Sequence, residues 1–251
     1  MPYFDAPDAS TAASSLARIV AEASPDLDDT AALEVTRIHS AVGTLVRSGL
    51  IRRPPLRAPH HTISRAGLVG GGSDPRPGEI TLAHGGVLFL DELPEFSPQV
   101  LDSLRQPLEA GETVIARANH RISYPSRIQL IAAMNPCRCG GGPGHACKRG
   151  PRCAADYQSR ISGPFLGRIN LTIEVPAVTA ADLCLPAPAE GSDGVRARVM
   201  EACRRQSQRL DDIEGARART NSELSGTLLD RVASPDPEGL ALLRQAADTL
   251  S

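Results

Sequence analysis

Residues 87–92 read Val-Leu-Phe-Leu-Asp-Glu, four apolar side chains running into two adjacent carboxylates. An apolar run of this length and composition, with turn signals on either side, predicts a buried strand. Two acids at the end of such a strand are costly to desolvate unless a cation or a reacting water uses them. In nucleotide hydrolases a strand of this kind presents one Asp to Mg²⁺ and one acid to the attacking water. The segment therefore points to ATPase chemistry, with Asp91 and Glu92 as its carriers.

The remaining composition narrows the class. The chain has 251 residues, 41% of them hydrophobic, which suits one large domain or a domain with a smaller companion. Aromatic residues make up 3% and Trp is absent, so the core must be built from Leu, Ile, Val and Ala. A net charge of −2 gives no global pull toward nucleic acid or a membrane surface. No stretch reaches the length of a membrane-spanning helix, and the N-terminus lacks a basic-then-apolar signal pattern. A cytoplasmic location is expected. In that compartment six Cys read as free thiols or metal ligands rather than disulfides.

Along the chain, Ser10 to Ala23 and Ala31 to Val46 read as helices, broken at Ser24-Pro25. His60 to Pro77 reads as a glycine-rich loop, and Glu79 to Leu82 as a short strand. Ser97-Pro98 is a helix start, with Ser as N-cap and Pro in the first turn; the helix should run to Ala110 and stop at Gly111. Thr113 to Ala116 and Arg121 to Tyr124 are expected to pair as a hairpin. Arg127 to Met134 reads as a second buried strand and Leu171 to Val175 as a third. Pro186 to Gly194 has linker composition, and helices are expected over Val195 to Leu210 and Gly239 to Leu250. Strands first and helices later predict an α/β domain over 1–178 and a partial helical piece over 179–251.

The second apolar strand ends at Asn135. If it lies parallel to the first, Asp91, Glu92 and Asn135 share one rim, where sheets of this class bind ligands. Several longer motifs occur in order with these residues. They are Arg57-Ala-Pro-His-His-Thr-Ile-Ser64, Gly70-Gly-Gly72, Pro77-Gly-Glu-Ile80, and Leu82-Ala-His-Gly-Gly-Val-Leu-Phe-Leu-Asp-Glu-Leu-Pro-Glu-Phe96. Ala132-Ala-Met-Asn-Pro-Cys137, Ile161-Ser-Gly-Pro-Phe-Leu-Gly-Arg-Ile169 and Val175-Pro176 follow. From about Leu16 onward the chain closely resembles the magnesium-chelatase-like AAA+ ATPases of the YifB/ComM type. The resemblance implies a three-layer αβα AAA+ core of P-loop type with a β-hairpin insertion, followed by a partial helical lid, and assembly into a ring, usually a hexamer. It implies Asp91 on Mg²⁺, Glu92 polarising water, Asn135 as the γ-phosphate sensor and Arg168 as an arginine finger reaching a neighbouring subunit's nucleotide. A planar guanidinium suits phosphate oxygens and the charge that builds on a transferring phosphoryl group. Where the family commonly reads Leu-Asp-Arg-Ile-Asp, this chain has Gly167 and Asn170, so two acidic supports of the Arg are replaced.

The phosphate cradle departs further. Such a loop needs glycines for close backbone approach, a Lys for the β- and γ-phosphates, and a Ser or Thr for Mg²⁺. Alignment on Ser15-Leu-Ala-Arg18 puts it at residues 7–14, with Ala13 at the lysine position and Ser14 at the Mg²⁺ hydroxyl. The first Gly in the chain is Gly43, and Lys148 is its one lysine. Weak or lost ATP binding by this polypeptide alone is expected, since lost charge-assisted contacts cost several kcal/mol, on the order of 1.5–3 each. The family also continues beyond a Leu-Ser like Leu250-Ser251 into a second sensor helix. A truncated gene product and a degenerate subunit lending Arg168 to an intact partner both fit.

Cys137, Cys139, Cys147 and Cys153, with His145 between them, offer enough ligands for a tetrahedral Zn²⁺, although their spacing is not that of paired C-x-x-C knuckles. Zinc and reduced loop thiols are the two readings. Cys184 and Cys203 read as isolated structural thiols. His60-His61 reads as packing or a ring-interface loop, because adjacent side chains on a strand point apart. Arg52, Arg53 and Arg57 form a basic patch that reads as a solvated loop or a contact to DNA phosphates. Three functions remain: an ATP-driven remodelling ATPase acting on DNA or with a chelatase partner, a non-catalytic ring subunit supplying Arg168, and a zinc-bearing structural protein.

Overall fold

The computed structural model describes residues 9–45, 49–72, 76–117, 120–139, 150, 152–175, 190–213, 218 and 220–250. The chain divides into two compact units, Met1–Arg196 and Ala197–Ser251.

The first unit is built on strand β4 (Val87–Leu90), all four residues of which are buried. It lies between β1 (Leu56–Arg57) and β7 (Gln129–Ala132) in a parallel sheet of order β1-β4-β7. A strand flanked on both sides and covered on both faces must be apolar throughout, which is the physical reason for the unbroken Val-Leu-Phe-Leu run. The register is set at the strand's foot. Val87 N–H donates to the Pro55 carbonyl at 2.8 Å, and Gln129 N–H donates to the Gly86 carbonyl at 2.9 Å. Gly86 cannot carry a side chain there, because a Cβ would fall 2.0 Å from the Pro55 oxygen.

Helix α1 (Ala9–Ala23) packs on β4 and β1 through Ala17 and Ala21. Helix α2 (Asp29–Ala41) starts at Asp28, whose side chain accepts from Ala31 N–H at 2.7 Å, and turns off at Gly43 in the left-handed region. The stretch expected as a loop over 60–77 contains α3 (Arg65–Val69), capped by Ser64, and a small antiparallel pair, β2 (Gly70–Gly71) with β3 (Arg76–Pro77). Residues 79–82 are not the expected strand but a helical turn, α4 (Glu79–Leu82). Thr81 and Leu82 N–H groups both bond the Gly78 carbonyl, and Ile80, Thr81 and Leu82 are all buried rather than alternating.

The expected single helix over 98–110 is two: α5 (Pro98–Asp102) and α6 (Arg105–Ala110). Pro107 has no N–H for the Ser103 carbonyl and its ring crowds that carbonyl, so the helix breaks at 103–104. Gly111 ends α6 at φ 67° as expected. Strands β5 (Glu112–Arg117) and β6 (His120–Pro125) then pair antiparallel, Thr113 opposite Tyr124. The core gathers Leu88, Leu90, Leu93, Phe96, Leu101, Leu104 and, from far along the chain, Ile161 and Phe165. Phe165 lies in α8 (Gly163–Leu166), which follows α7 (Cys153–Gln158).

The expected strand at 171–175 does not form. Leu171, Ile173 and Val175 are 83%, 75% and 63% exposed, and no partner strand stands beside them among the described residues. The alternation of the sequence is intact, but a strand needs neighbouring N–H and C=O groups as well as a pattern.

The second unit continues α9 (Ser192–Asp211) into α10 (Gly226–Ala233) and α11 (Pro237–Leu250), with a 3₁₀ turn at Asn221–Glu223. Glu201 is the anchor of α9's polar face, bonded to Arg204 at 2.8 Å and to Arg205 at 2.7 Å, which holds its carboxyl down at about 2.

Candidate functional site

The site begins where β4 runs out of apolar residues. Leu90 pairs with Ala132 across the parallel ladder. One step further, Ala133 N–H donates to the Leu90 carbonyl and Leu93 N–H to the Ala133 carbonyl, both at 2.9 Å. The two strand ends therefore stay in step, which puts Asp91-Glu92 and Asn135 at the same edge. All three are partly exposed.

Glu92 adopts φ 52° and ψ 47°, the one positive φ of a non-glycine residue among the described residues. Asp91 Oδ1 accepts from Glu92 N–H at 2.9 Å and stabilises this turn. A Glu in this region carries a conformational cost of about 1 kcal/mol or more, which the surrounding contacts offset. The result is that Glu92 leaves the strand direction and points its carboxylate toward His61, whose Nδ1 lies 3.3 Å from Glu92 Oε2. His61 follows β1 and stacks against His60 at 4.0 Å, with Phe96 edge-on at 6.4 Å. The sequence signals no such pairing; adjacent histidines alone suggest packing or an interface.

Glu95 is a second residue that sequence reasoning passes over. It lies in the turn after Glu92 and collects three groups from later in the chain. Arg160 is 3.2 Å away, Arg138 is 3.8 Å away, and Tyr157 bonds it through its hydroxyl. Burial, then the Glu95 and Glu92 carboxylates, push the Tyr157 hydroxyl above its ordinary pKa, so it remains a protonated donor. The acidic rim is thus backed by α7 and its C-terminal continuation.

Arg168 is placed by the packing of α8. Ser162 caps that helix, accepting from Phe165 N–H at 3.4 Å, and its hydroxyl donates to Asp102 at 2.6 Å. Phe165 is fully buried. Arg168 emerges half-exposed at the end of this anchored turn and forms an ion pair with Glu109 of α6. Ser14 lies inside α1, five residues beyond the helix start at Ala9, so the segment expected as a loop over 7–14 is helical from residue 9 on. Asp91 and Ser14 are the residues expected to meet Mg²⁺ with ATP.

Beyond Asn135, the Cys137, Cys139 and Cys153 sulfurs all lie within 4.8 Å of one another, and the first two are 2.8 Å apart. Cys147, expected with them, falls outside the described residues, as do His145, Lys148 and Cys184. Cys203 is a half-buried thiol of α9.

The basic patch expected at 52–57 is neutralised. Arg52 meets Asp29 at 2.8 Å and Arg53 meets Asp26 at 3.7 Å. Arg57 binds both Glu79 oxygens, at 2.5 and 2.8 Å, and the hydrogen bonds raise its pKa despite partial burial. Three guanidiniums in acid pairs give little net attraction for phosphate.

Fold and site together define a mixed α/β protein with a parallel sheet and helices, consistent with a P-loop-like core. The chain belongs to the magnesium chelatase ChlI-subunit family, matching its main region over residues 7–183 and its C-terminal region over 189–251. It is 40% identical over 227 residues to the competence protein ComM of Haemophilus influenzae, covering 90% of this chain and 43% of that protein. It is 44% identical over 190 residues to the YifB protein of Escherichia coli, covering 75% and 38%. A Mycobacterium tuberculosis protein is 42% identical over 228 residues, covering 89% and 44%. The chain thus spans less than half the length of these relatives. No helix among the described residues is long and apolar enough to cross a membrane.

Proposed function

We propose that this chain supplies the acidic-strand and arginine-finger parts of an ATP site in a AAA+ ring. Asp91 orients Mg²⁺, Glu92 polarises the attacking water, Asn135 reads the γ-phosphate, and Arg168 leaves Glu109 to reach a neighbouring subunit's nucleotide. The observation that carries this reading is the parallel pairing of β4 and β7, which brings both acids and Asn135 to one edge. The left-handed Glu92 supports it, because backbone strain at a strand end is where catalytic carboxylates are often set. The glycines and lysine of a phosphate cradle are missing from residues 7–14, so the chain by itself binds nucleotide weakly and acts with an intact subunit. The core would be the three-layer αβα type with β5–β6 as the hairpin insertion, and residues 179–251 would serve as a partial lid. Likeness to a competence protein, and the Pro136-Cys-Arg-Cys-Gly140 run, favour DNA-linked remodelling in the cytoplasm.

Titration with a fluorescent ATP analogue and Mg²⁺ tests the first half of this reading. Saturable micromolar binding by the chain alone would overturn the lost cradle. Mixing with a relative that carries an intact phosphate loop tests the second half. The expected result is a change in ATP turnover that disappears with Arg168→Ala. Turnover indifferent to the added chain would remove the arginine-finger role.

A further inference from the structure

We infer that Cys137, Cys139 and Cys153 bind one Zn²⁺ as thiolates, and that this metal clips the end of strand β7 to helix α7. The inference rests on the cysteines alone and not on the nucleotide reading.

The three sulfurs come from two separate segments. Cys137 and Cys139 lie two and four residues beyond Asn135, and Cys153 is the first residue of α7. Thirteen residues lie between the two segments, so no local spacing forces the sulfurs together; the tertiary fold does. The Cys137 and Cys139 sulfurs are 2.8 Å apart and all three lie within 4.8 Å of one another, a range that includes the edge of about 3.8 Å set by Zn–S bonds of about 2.3 Å in a tetrahedron. Cys137 and Cys153 are buried and Cys139 is exposed, so the cluster is rooted in the core yet open to an arriving ion.

The ligand type selects the metal. Sulfur ligands choose Zn²⁺, Cu⁺ or iron–sulfur clusters over Mg²⁺ or Ca²⁺. Three thiolates fill three corners of the tetrahedron Zn²⁺ prefers, and the fourth corner is taken by a ligand outside this set. On binding, three S–H groups release three protons to solvent and three Zn–S bonds form, with no change of oxidation state. Burial of reduced thiols as small apolar groups would explain Cys137 and Cys153, but not an exposed Cys139 converging on them.

The metal would reinforce a weakly tied junction. Gln158 donates to the Pro136 carbonyl at 3.1 Å across the same gap, but that bond is exposed. Exposed hydrogen bonds contribute roughly 1 kcal/mol or less. A zinc clip would fix the segment two residues beyond Asn135 to the helix that carries Tyr157 toward Glu95, and so hold the rim and its backing as one body.

The test is metal analysis of the whole chain, expressed with zinc and purified without chelator. About one zinc per chain is expected, and Cys137→Ser, Cys139→Ser and Cys153→Ser should each lower zinc retention about tenfold or more. Cys203→Ser, remote in sequence and outside the cluster, should leave it unchanged. Cobalt exchanged into the site should show thiolate-to-metal charge-transfer bands and the intense visible bands of a tetrahedral ion. If the serine variants misfold by circular dichroism, Cys153→His keeps a ligand and should retain metal with a weaker charge-transfer band. Protein with far less than one zinc and three thiols that react freely with Ellman's reagent would overturn the inference. A Cys137–Cys139 disulfide, or zinc retained equally in all three serine variants, would do so as well.

Discussion

Val87–Leu90 and Leu171–Val175 are both short apolar stretches with strand composition, and they have opposite fates. The first is buried on every side, with β1 and β7 bonded to its edges. The second is the most exposed apolar stretch among the described residues and has no regular structure. β-propensity describes fitness for a pleated, half-buried surface, so its value depends on whether such a surface is present. For residues 87–90 the surface is supplied by Pro55 to Arg57 on one side and Gln129 to Ala132 on the other. For residues 171–175 no described strand supplies it.

This contrast can be broken by mutation. Leu90→Ala should destabilise the first unit by about 3 kcal/mol, since it opens a cavity in a core that cannot collapse around it. Ile173→Ala, a comparable truncation at the exposed stretch, should change stability by less than about 0.5 kcal/mol. Urea unfolding followed by circular dichroism measures both, and a similar loss at the two sites would show that 171–175 is packed in solution. Gly86→Ala should come next, at about 2 kcal/mol, because a Cβ must displace the Pro55 backbone and with it the β1–β4 register. The same substitution at Gly71, where a Cβ meets nothing but the φ is 123°, separates backbone strain from collision.

Smaller effects sharpen the picture of the rim and of the second unit. His61→Ala should cost less than about 1 kcal/mol in stability, as its contact with Glu92 is half-exposed and screened. It should instead alter any magnesium-dependent ATP turnover measured in a mixed ring, because Glu92 loses the group that now holds its carboxylate. The smallest effect is expected in α9. Glu201 has a folded pKa depressed from near 4.5 to about 2. Its contribution is therefore present above pH 4.5 and is lost as pH falls toward 2. Helical signal should decline over that window in the native chain and decline less in Glu201→Gln, the difference being the Glu201 share. These groups are fully exposed, so salt should diminish the difference.

Legibility followed chemistry more closely than it followed geometry. The β4 strand, the caps at Ser97 and Gly111, and the hairpin over 112–125 are local patterns, and each is readable because the interactions that make it lie within a few residues. Family membership was readable for the same reason, from ordered motifs that include Asp91-Glu92 and Asn135. What failed were readings that needed a partner from elsewhere. Residues 171–175 met no partner strand among the described residues and stayed open, while residues 79–82 closed a helical turn locally on the Gly78 carbonyl once the core buried Ile80, Thr81 and Leu82 alike. The 98–110 helix split at a constraint that was in the sequence, Pro107, but whose effect falls four residues upstream.

The site divides the same way. The residue types at 91, 92, 135 and 168, and the number of cysteines, are properties of the sequence alone, as are the missing lysine and glycines over 7–14. The tertiary structure decided which of them meet. It aligned Asp91-Glu92 with Asn135, turned Glu92 toward His61, gathered Glu95 with Arg138, Tyr157 and Arg160, parked Arg168 on Glu109, paired the three arginines of 52–57 with acids, and drew Cys153 to Cys137 and Cys139. The reason is physical: composition and periodicity encode what a residue can do and which face it prefers. Distances between residues far apart in the chain follow only from how the buried core closes around β4.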